Sequence, residues 1–257
     1  MKETFLCQVI TLFTTPFMVM SNEYDKCGLL NTNTGLHAIS DSSPDDMYAP
    51  WLASVGKYNK EVYKVSCSGI VLTSRILVSA AHCFKGGVPS WKIPSHIQVG
   101  GTRRDNKYVV TRKIQDYKLH PQFSYPVYYF DVALIILVED LIFSEHISPI
   151  CLQQSVSSYA GENNNFITVQ GWGKDDEGKS GQSASEVSLG IKFVSECTHR
   201  FNYSGPYKEI VNRTMPKLFK EDILFCADSD LNSVLGTCRG DSGGPAIQKY
   251  KLKFLTE

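Results

Sequence analysis

A serine set among glycines, Ser242, has the surroundings that most clearly indicate chemistry. It stands in the segment Gly240-Asp241-Ser242-Gly243-Gly244-Pro245. A serine hydroxyl is a weak nucleophile until a neighbouring base removes its proton. A glycine at position 240 lets the backbone turn its N–H toward the same point as the N–H of Ser242, and two such donors stabilise the oxyanion of a tetrahedral intermediate. The segment therefore predicts a nucleophile, Ser242, and an oxyanion hole formed by Gly240 and Ser242.

A base and an orienting acid for this serine lie upstream in the chain. His82 ends an apolar run and is followed by a cysteine, a setting that none of the other five histidines has. Asp131 precedes the apolar run Val132-Ala-Leu-Ile-Ile, where a buried carboxylate would need a partner. Taken singly, these would be a structural histidine and an aspartate that caps a turn. Their order in the chain, histidine then aspartate then serine, predicts a catalytic triad.

The elements that position these residues are short apolar, β-branched runs separated by turn residues, and long helical periodicity is scarce. This pattern is typical of an all-β fold built from antiparallel barrels. The polar segment 174–185 predicts a surface loop, and one short helix is expected after Cys197. The predicted strands are Val65–Val71, Arg75–Val78, His96–Val99, Tyr108–Val110, Val132–Val138, Phe166–Val169 and Val187–Val194.

Composition excludes several classes of partner. The chain has 257 residues, 42% of them hydrophobic, which is enough for a substantial core. Its 26 basic residues balance its 26 acidic residues, so no strong field favours nucleic acid or an anionic membrane. The cysteine spacings lack a C-x-x-C and do not suit a zinc site.

Several features indicate secretion. Residues 1–21 carry Lys2, an apolar stretch and small residues near the end, which predicts a signal peptide; an ordinary buried segment is the alternative. Asn202 and Asn212 lie in N-glycosylation sequons. Eight cysteines agree with an oxidising compartment. If Cys7 leaves with the signal peptide, one of the remaining seven lacks a partner within the chain.

From about Cys27 onward the chain resembles the chymotrypsin-like serine proteases. Besides the three segments above, the resemblance rests on an ordered set of motifs: Pro50-Trp51, Cys67-Ser-Gly, His120-Pro121, Pro149-Ile-Cys-Leu and Gly171-Trp172-Gly173. It implies two antiparallel six-stranded β-barrels with the active site at their interface. It also implies an N-terminal pro-segment over residues 22–38 and a protease domain over residues 39–257.

The roles of the triad follow from this resemblance. His82 would act as general base and then acid, Asp131 would fix its tautomer, and Ser242 would attack the scissile carbonyl. The substrate would be a polypeptide, protein protease inhibitors are possible partners, and a monomer without cofactor or membrane attachment is expected. Residues 102–107, the equivalent of the family's calcium loop, lack clustered acids, so no metal is expected.

The family's disulfides map onto Cys27–Cys151, Cys67–Cys83 and Cys197–Cys226. Cys238 would pair in the family with a cysteine some thirty residues further on, whereas this sequence ends at Glu257. We therefore expect Cys238 to be unpaired and the second barrel to be incomplete at its C-terminal end.

Activation and specificity are expected to depart from the family's trypsin-like members. The new N-terminus would lie near Ile39 and pair with Asp241, but no lysine or arginine occurs between Gly28 and Gly56, which excludes a tryptic activating cut. The base of the primary pocket would be Gly236, beside Thr237, and neither offers a carboxylate. We therefore expect an uncharged first residue in the substrate. Arg239 would either favour acidic neighbours at the pocket lip or be a solvated surface arginine.

Two functions are compatible with these features. The first is a secreted serine endopeptidase, made as a zymogen, that acts through an acyl-enzyme intermediate. The alternative is a catalytically impaired homologue that serves as a binding or regulatory protein, a hypothesis favoured by the missing activation site and the missing pocket wall.

Overall fold

A computed structural model describes residue 27 and residues 47–85, 92–125, 129–152, 166–173, 182–192, 226–228 and 240–247. The regular secondary structure in these ranges is β-strand apart from one 3₁₀ turn, and within them no helix is long and apolar enough to cross a membrane. The strands are β1 (Leu52–Asn59), β2 (Val62–Val71), β3 (Ile76–Ser79), β4 (His96–Val99), β5 (Val110–Leu119), β6 (Ala133–Leu137), β7 (Phe166–Gly171), β8 (Ser185–Lys192), β9 (Cys226–Asp228) and β10 (Ala246–Ile247).

Strands β1 to β6 form a closed antiparallel barrel in the order β1-β2-β3-β6-β5-β4. Successive side chains of a strand point to opposite faces, so alternate residues fill the barrel interior. In β6, for example, Ala133, Ile135 and Leu137 are buried, whereas Leu134 and Ile136 are less so. The fully buried residues of this core are Ala53, Val55, Val71, Leu77, Ala81, Ile97, Ile135 and Leu137.

The remaining four strands form an antiparallel sheet in the order β10-β7-β8-β9. Its own small core is built from Ile167, Val169 and Leu189. Trp172, directly after β7, packs with Ala49 and Leu52 of the barrel, so the two sheets share an apolar contact. The predicted all-β class with antiparallel barrels is thus confirmed, with the first barrel closed in the structure.

Two disulfides are present in the described residues. Cys67–Cys83 joins β2 to the segment after β3, and Cys27–Cys151 attaches the N-terminal segment to the chain that follows the barrel. Each such cross-link typically stabilises a small domain by about 2–4 kcal/mol. Cys226 begins β9, while Cys197 and Cys238 lie outside the described residues, as do the sequons at Asn202 and Asn212.

Most strand predictions agree with the structure to within a few residues, one does not, and the short strand β9 was not predicted. The prediction of a strand over Tyr108–Val110 is wrong, because the strand begins at Val110 and continues to Leu119. Strand β1 (Leu52–Asn59) was not predicted at all. The predicted surface loop 174–185 ends sooner than expected. Ala184 N–H donates to the Thr102 carbonyl at 2.6 Å, and Ser185 is already the first residue of β8.

Candidate active site

His82 is held by a tight turn at the end of β3. The strand runs straight into a 3₁₀ turn, Ala81–Cys83, whose flanking residues Ala81 and Cys83 are buried while the His82 side chain is 30% exposed. Phe84 is also buried, and the Cys67–Cys83 disulfide links the turn to β2. Because both sides of His82 are anchored in the barrel core, its imidazole is the part of the turn that reaches the surface.

Asp131 reaches the same edge of the barrel because β3 and β6 pair antiparallel. Ser79, the last residue of β3, is opposite Ala133, the first residue of β6. In an antiparallel pair the end of one strand lies beside the start of the other. His82 follows β3 by three residues and Asp131 precedes β6 by two, so the strand register brings them together.

The two side chains form a two-point contact. The backbone N–H of His82 donates to Asp131 Oδ1 at 2.8 Å, and His82 Nδ1 is 2.6 Å from Asp131 Oδ2. The Asp131 side chain is only 4% exposed. A carboxylate accepts hydrogen bonds, so this geometry assigns the ring proton to Nδ1 and leaves the lone pair on Nε2. The contact thereby fixes the orientation of the imidazole.

Asp131 lies in a turn whose backbone is strained at the preceding residue, Phe130. Phe130 has a φ of +49°, a left-handed conformation that is uncommon for a bulky residue, and its carbonyl accepts from Val132 N–H at 2.7 Å. The Phe130 ring stacks on His120, with centroids 4.6 Å apart and an interplanar angle of 10°. His120 N–H in turn donates to the Val132 carbonyl at 2.9 Å. The stack and this hydrogen bond hold the turn in which Asp131 is the central residue.

Acidification is expected to destabilise this turn. Burial lowers the pKa of His120 below its usual value of about 6.5. The unfolded chain therefore binds a proton more readily than the folded chain, and the stability that neutral His120 contributes is present above about pH 6.5 and lost as pH falls toward the folded pKa. The unfolding free energy, measured by urea titration, should be lower at pH 5.5 than at pH 7.5. This decrease should be smaller in His120→Gln than in the wild type. Equal losses in the two proteins would contradict this expectation.

The segment around Ser242 packs against the strand end that leads to His82. Ser68 N–H of β2 donates to the Ser242 carbonyl at 2.8 Å. A Cβ on Gly243 would lie 2.5 Å from the Ser68 carbonyl oxygen and 2.8 Å from Ala80 N. Ala80 is two residues before His82. The structure thus brings the segments of His82, Asp131 and Ser242 to one place, between the barrel and the second sheet.

The glycines of Gly171-Trp172-Gly173 make room for the Asp241 carboxylate. A Cβ at Gly171 or at Gly173 would collide with Asp241 side-chain atoms, at 2.8 and 2.6 Å from its carboxyl carbon. Gly173 N–H donates to Asp241 Oδ1 at 2.6 Å. The carboxylate of the aspartate that precedes the serine is therefore turned toward the second sheet.

Other residues quoted for the resemblance also have structural explanations. Trp51 Nε1–H donates to Gln170 Oε1 of β7 at 2.9 Å and so connects the barrel to the second sheet. Pro149 is fully buried, and Ile150 N–H donates to the Val71 carbonyl at 3.0 Å. These contacts hold the chain on which Cys151 lies.

Ser68 was quoted only as part of the Cys67-Ser-Gly motif, with no role of its own, and Phe130 was not singled out by the sequence. Ser68 is fully buried, and its hydroxyl donates to the Gly240 carbonyl at 3.0 Å and accepts from Trp172 N–H at 2.8 Å. A serine within an apolar strand and a phenylalanine before an aspartate carry no distinctive local pattern. Gly240 is buried with a φ of +113°, whereas Gly236, Thr237 and Arg239 lie outside the described residues.

One group of metal-binding residue types occurs within the described ranges, but its chemistry does not suit a metal. Cys67, His82 and Cys83 have potential ligand atoms within 4.8 Å of one another. The two cysteines form a disulfide with each other, so neither offers a thiolate. In the loop 102–107, the Asp105 carboxylate pairs with Arg103 at 2.9 and 3.1 Å, and this hydrogen-bonded pair lowers the Asp105 pKa.

Sequence comparison decides the family. A family model described as Trypsin matches residues 39–255, which is most of the chain and includes all three segments of the site. The chain belongs to the trypsin family of serine proteases. The predicted relationship to chymotrypsin-like proteases is therefore confirmed.

Relatives of this trypsin-family chain include much longer proteins. It is 31% identical over 215 residues to transmembrane protease serine 11B of Homo sapiens, covering 82% of the chain and 45% of that protein. It is 30% identical over 186 residues to serine protease filzig of Drosophila melanogaster, covering 72% of the chain and 10% of that protein. It is 28% identical over 209 residues to the venom protease of Bombus pensylvanicus, covering 77% of the chain and 76% of that protein. The chain spans less than half the length of the first two.

A solved structure agrees on the fold. Neuropsin, a serine protease expressed in the limbic system of mouse brain, superposes with a TM-score of 0.57 over 77% of each chain, at 19% sequence identity. At this identity the likeness concerns the fold alone, and it matches the barrel and second sheet described above.

Proposed function

We propose that this chain is a secreted serine endopeptidase that hydrolyses peptide bonds through an acyl-enzyme intermediate. The observation that carries the proposal is the contact between His82 and the buried Asp131 carboxylate, at 2.8 and 2.6 Å, beside the packed Ser242 segment. A structural histidine would not need both carboxylate oxygens and a partly exposed ring at the same edge. Membership of the trypsin family supports the same reaction class.

In the proposed reaction, Ser242 Oγ forms a bond to the scissile carbonyl carbon while its proton moves to His82 Nε2. The carbonyl oxygen becomes an oxyanion that the N–H groups of Gly240 and Ser242 stabilise. When the C–N bond breaks, His82 gives this proton to the leaving amine, and the acyl group remains on Ser242. Water, deprotonated by His82, then hydrolyses the ester, and the proton returns to Ser242 Oγ.

Asp131 remains ionised in this scheme. It stabilises the imidazolium that forms when His82 takes the proton, and it keeps the ring from rotating. Its burial strengthens this interaction, because water does not screen the two charges at that side. The contact at Oδ1 from the His82 backbone fixes the carboxylate itself, so the acid and the base are oriented by one another.

We further propose Asp241 as the acid of a zymogen switch. After a cut near Ile39, the new α-amino group would pair with the Asp241 carboxylate and hold the backbone of Gly240 in the oxyanion arrangement. The hydrogen bond from Gly173 N–H to Asp241 Oδ1 supports this role, because it holds the carboxylate against the segment Gly171–Gly173. The substrate is a polypeptide, and the sequence of the pocket residues Gly236 and Thr237 favours an uncharged residue at the cleavage site.

Secretion of a monomer belongs to the same proposal. The predicted signal peptide over residues 1–21 and pro-segment over residues 22–38 would precede the protease domain, residues 39–257. Two disulfides favour an oxidising compartment. The sequons at Asn202 and Asn212 agree with that route.

Labelling with a fluorophosphonate tests this function. The reagent phosphonylates an activated serine as fluoride leaves, so the folded, N-terminally processed protein should become labelled and Ser242→Ala should not. Tandem mass spectrometry should place the adduct on the peptide that contains Ser242. A folded, processed protein that never labels would exclude the peptidase and favour the binding or regulatory homologue.

A further inference from the structure

The hydroxyl of Ser68 occupies a central place between the barrel and the two loops of the site. It donates to the Gly240 carbonyl at 3.0 Å and accepts from Trp172 N–H at 2.8 Å. The Ser68 backbone adds two contacts, since its N–H donates to the Ser242 carbonyl at 2.8 Å and its carbonyl accepts from Ser79 Oγ at 2.7 Å. Every polar group of this fully buried residue thus has a partner in or beside the site.

These contacts close a ring of hydrogen bonds around the turn that precedes the serine. From the Ser68 hydroxyl the ring runs to Gly240, along the chain to Asp241, across to Gly173 N–H at 2.6 Å, and back through Trp172 to Ser68. The hydroxyl comes from the barrel, outside both loops, and touches each of them. Without it, the link at this end of the two loops would be the hydrogen bond between Asp241 and Gly173 N–H, beside the pairing of β10 with β7.

The hydroxyl acts on the part of the turn that is freest to rotate. Gly240 has a φ of +113° and no side chain to restrict it, so the peptide between Gly240 and Asp241 can turn at low cost. Ser68 holds the carbonyls of Gly240 and Ser242, the two ends of this turn. Fixing both carbonyls fixes the peptide planes between them, including the one that bears the Ser242 N–H.

We propose that Ser68 is a positioning residue for the oxyanion hole, which its hydroxyl keeps in the shape that binds a developing negative charge. This inference rests on the proposed peptidase function and adds a residue to it. In Ser68→Ala the Gly240 carbonyl and the Trp172 N–H both lose their partner in a site closed to water, which favours rotation of the Gly240–Asp241 peptide. Loss of a whole oxyanion donor reduces kcat by about 10²–10³-fold. Misalignment should reduce the chemical step by roughly tenfold.

Ser54 provides a matched control. It lies directly opposite Ser68 in the pairing of β1 with β2 and is equally buried, at 1% exposure. Its hydroxyl is 3.5 Å from Tyr63 OH, whose own hydrogen donates to the Ser54 carbonyl at 3.0 Å. Ser54→Ala therefore removes a buried hydroxyl from the same pair of strands without touching Gly240 or Trp172.

The experiment measures how fast a fluorophosphonate inactivates the processed protein, with the saturating rate constant kinact and the half-saturation constant KI determined separately. We expect Ser68→Ala to lower kinact about tenfold while KI stays within twofold, because reagent binding precedes formation of the oxyanion. Ser54→Ala should leave both constants within twofold of the wild type. Ser68→Gly, which leaves space for a bridging water, should give a kinact between those of the wild type and Ser68→Ala.

The alternatives are distinguishable. A kinact for Ser68→Ala equal to that of the wild type would overturn the inference, and so would equal reductions in Ser68→Ala and Ser54→Ala. If Ser68→Ala does not fold, the comparison of Ser68→Gly with the wild type takes its place, and an unchanged kinact there has the same consequence. Absence of labelling in the wild type would instead count against the proposed function.

Discussion

Asp131→Asn should lower kcat by about 10⁴-fold while the protein remains folded. Asp131 uses both oxygens, one for the His82 backbone N–H and one for the ring Nδ1–H. Asparagine has one oxygen and one NH₂ group. If its oxygen keeps the backbone contact, its NH₂ faces Nδ1, and the ring proton must move to Nε2. The imidazole then has no lone pair directed at Ser242. The factor is the one established for the corresponding change in a chymotrypsin-type triad.

The measurement is the steady-state rate of peptide hydrolysis, or the rate of fluorophosphonate labelling where hydrolysis is too slow to follow. Circular dichroism and the thermal midpoint establish that the variant is folded. Asp116→Asn is the control, because Asp116 is an exposed carboxylate on β5 that pairs with Lys118 and not with His82. Activity of Asp131→Asn within tenfold of the wild type would contradict the role given to this residue.

The barrel strands that could be predicted are those with a continuous apolar face. β6 has such a run, and its predicted span, Val132–Val138, exceeds the observed strand by one residue at each end. β5 was missed over most of its length because Thr111–Leu119 carries several charged residues with only partly buried neighbours. β1 was missed because its apolar residues are broken by Ser54, Gly56 and Lys57, while its pairing with β2 and β4 stabilises it. These two strands are stabilised by pairing with strands distant in sequence, and the local sequence pattern does not contain that information.

The functional side chains could be predicted more completely than the contacts that hold them. His82, Asp131 and Ser242 each stand in a motif, and their segments meet in the structure because β3 and β6 pair in one register and the Ser242 segment bonds to β2. The Ser68 ring, the Phe130 stack on His120 and the fit of Asp241 between two glycines depend on residues far apart in sequence. No local pattern signals such contacts. The catalytic roles of the three residues and the pocket residues remain predictions.

Gly243→Ala should abolish detectable labelling and destabilise the fold. Gly243 has a φ of +86°, which costs a residue with a side chain about 1–2 kcal/mol. Its Cβ would lie 2.5 Å from the Ser68 carbonyl oxygen and 2.8 Å from Ala80 N. Both are backbone atoms, one in β2 and one in the residue that links β3 to the 3₁₀ turn, so neither can move aside as a flexible side chain would. The Ser242 segment must therefore move away from the barrel.

That movement separates the nucleophile from its base, because one of the atoms that obstruct the Cβ, Ala80 N, belongs to the segment that leads to His82. A displacement of about 1 Å can cost roughly 10²-fold in rate, and loss of the Ser68–Ser242 backbone bond would add to it. Gly101→Ala is the control, since Gly101 lies outside the site and the nearest neighbours of its Cβ would be side-chain atoms of Asn106, beginning with Asn106 Cβ at 2.8 Å. Fluorophosphonate labelling should fall at least 100-fold in Gly243→Ala and less than threefold in Gly101→Ala. Normal labelling of Gly243→Ala would mean that Ser242 can react from a position other than the one held by Ser68 and Ala80.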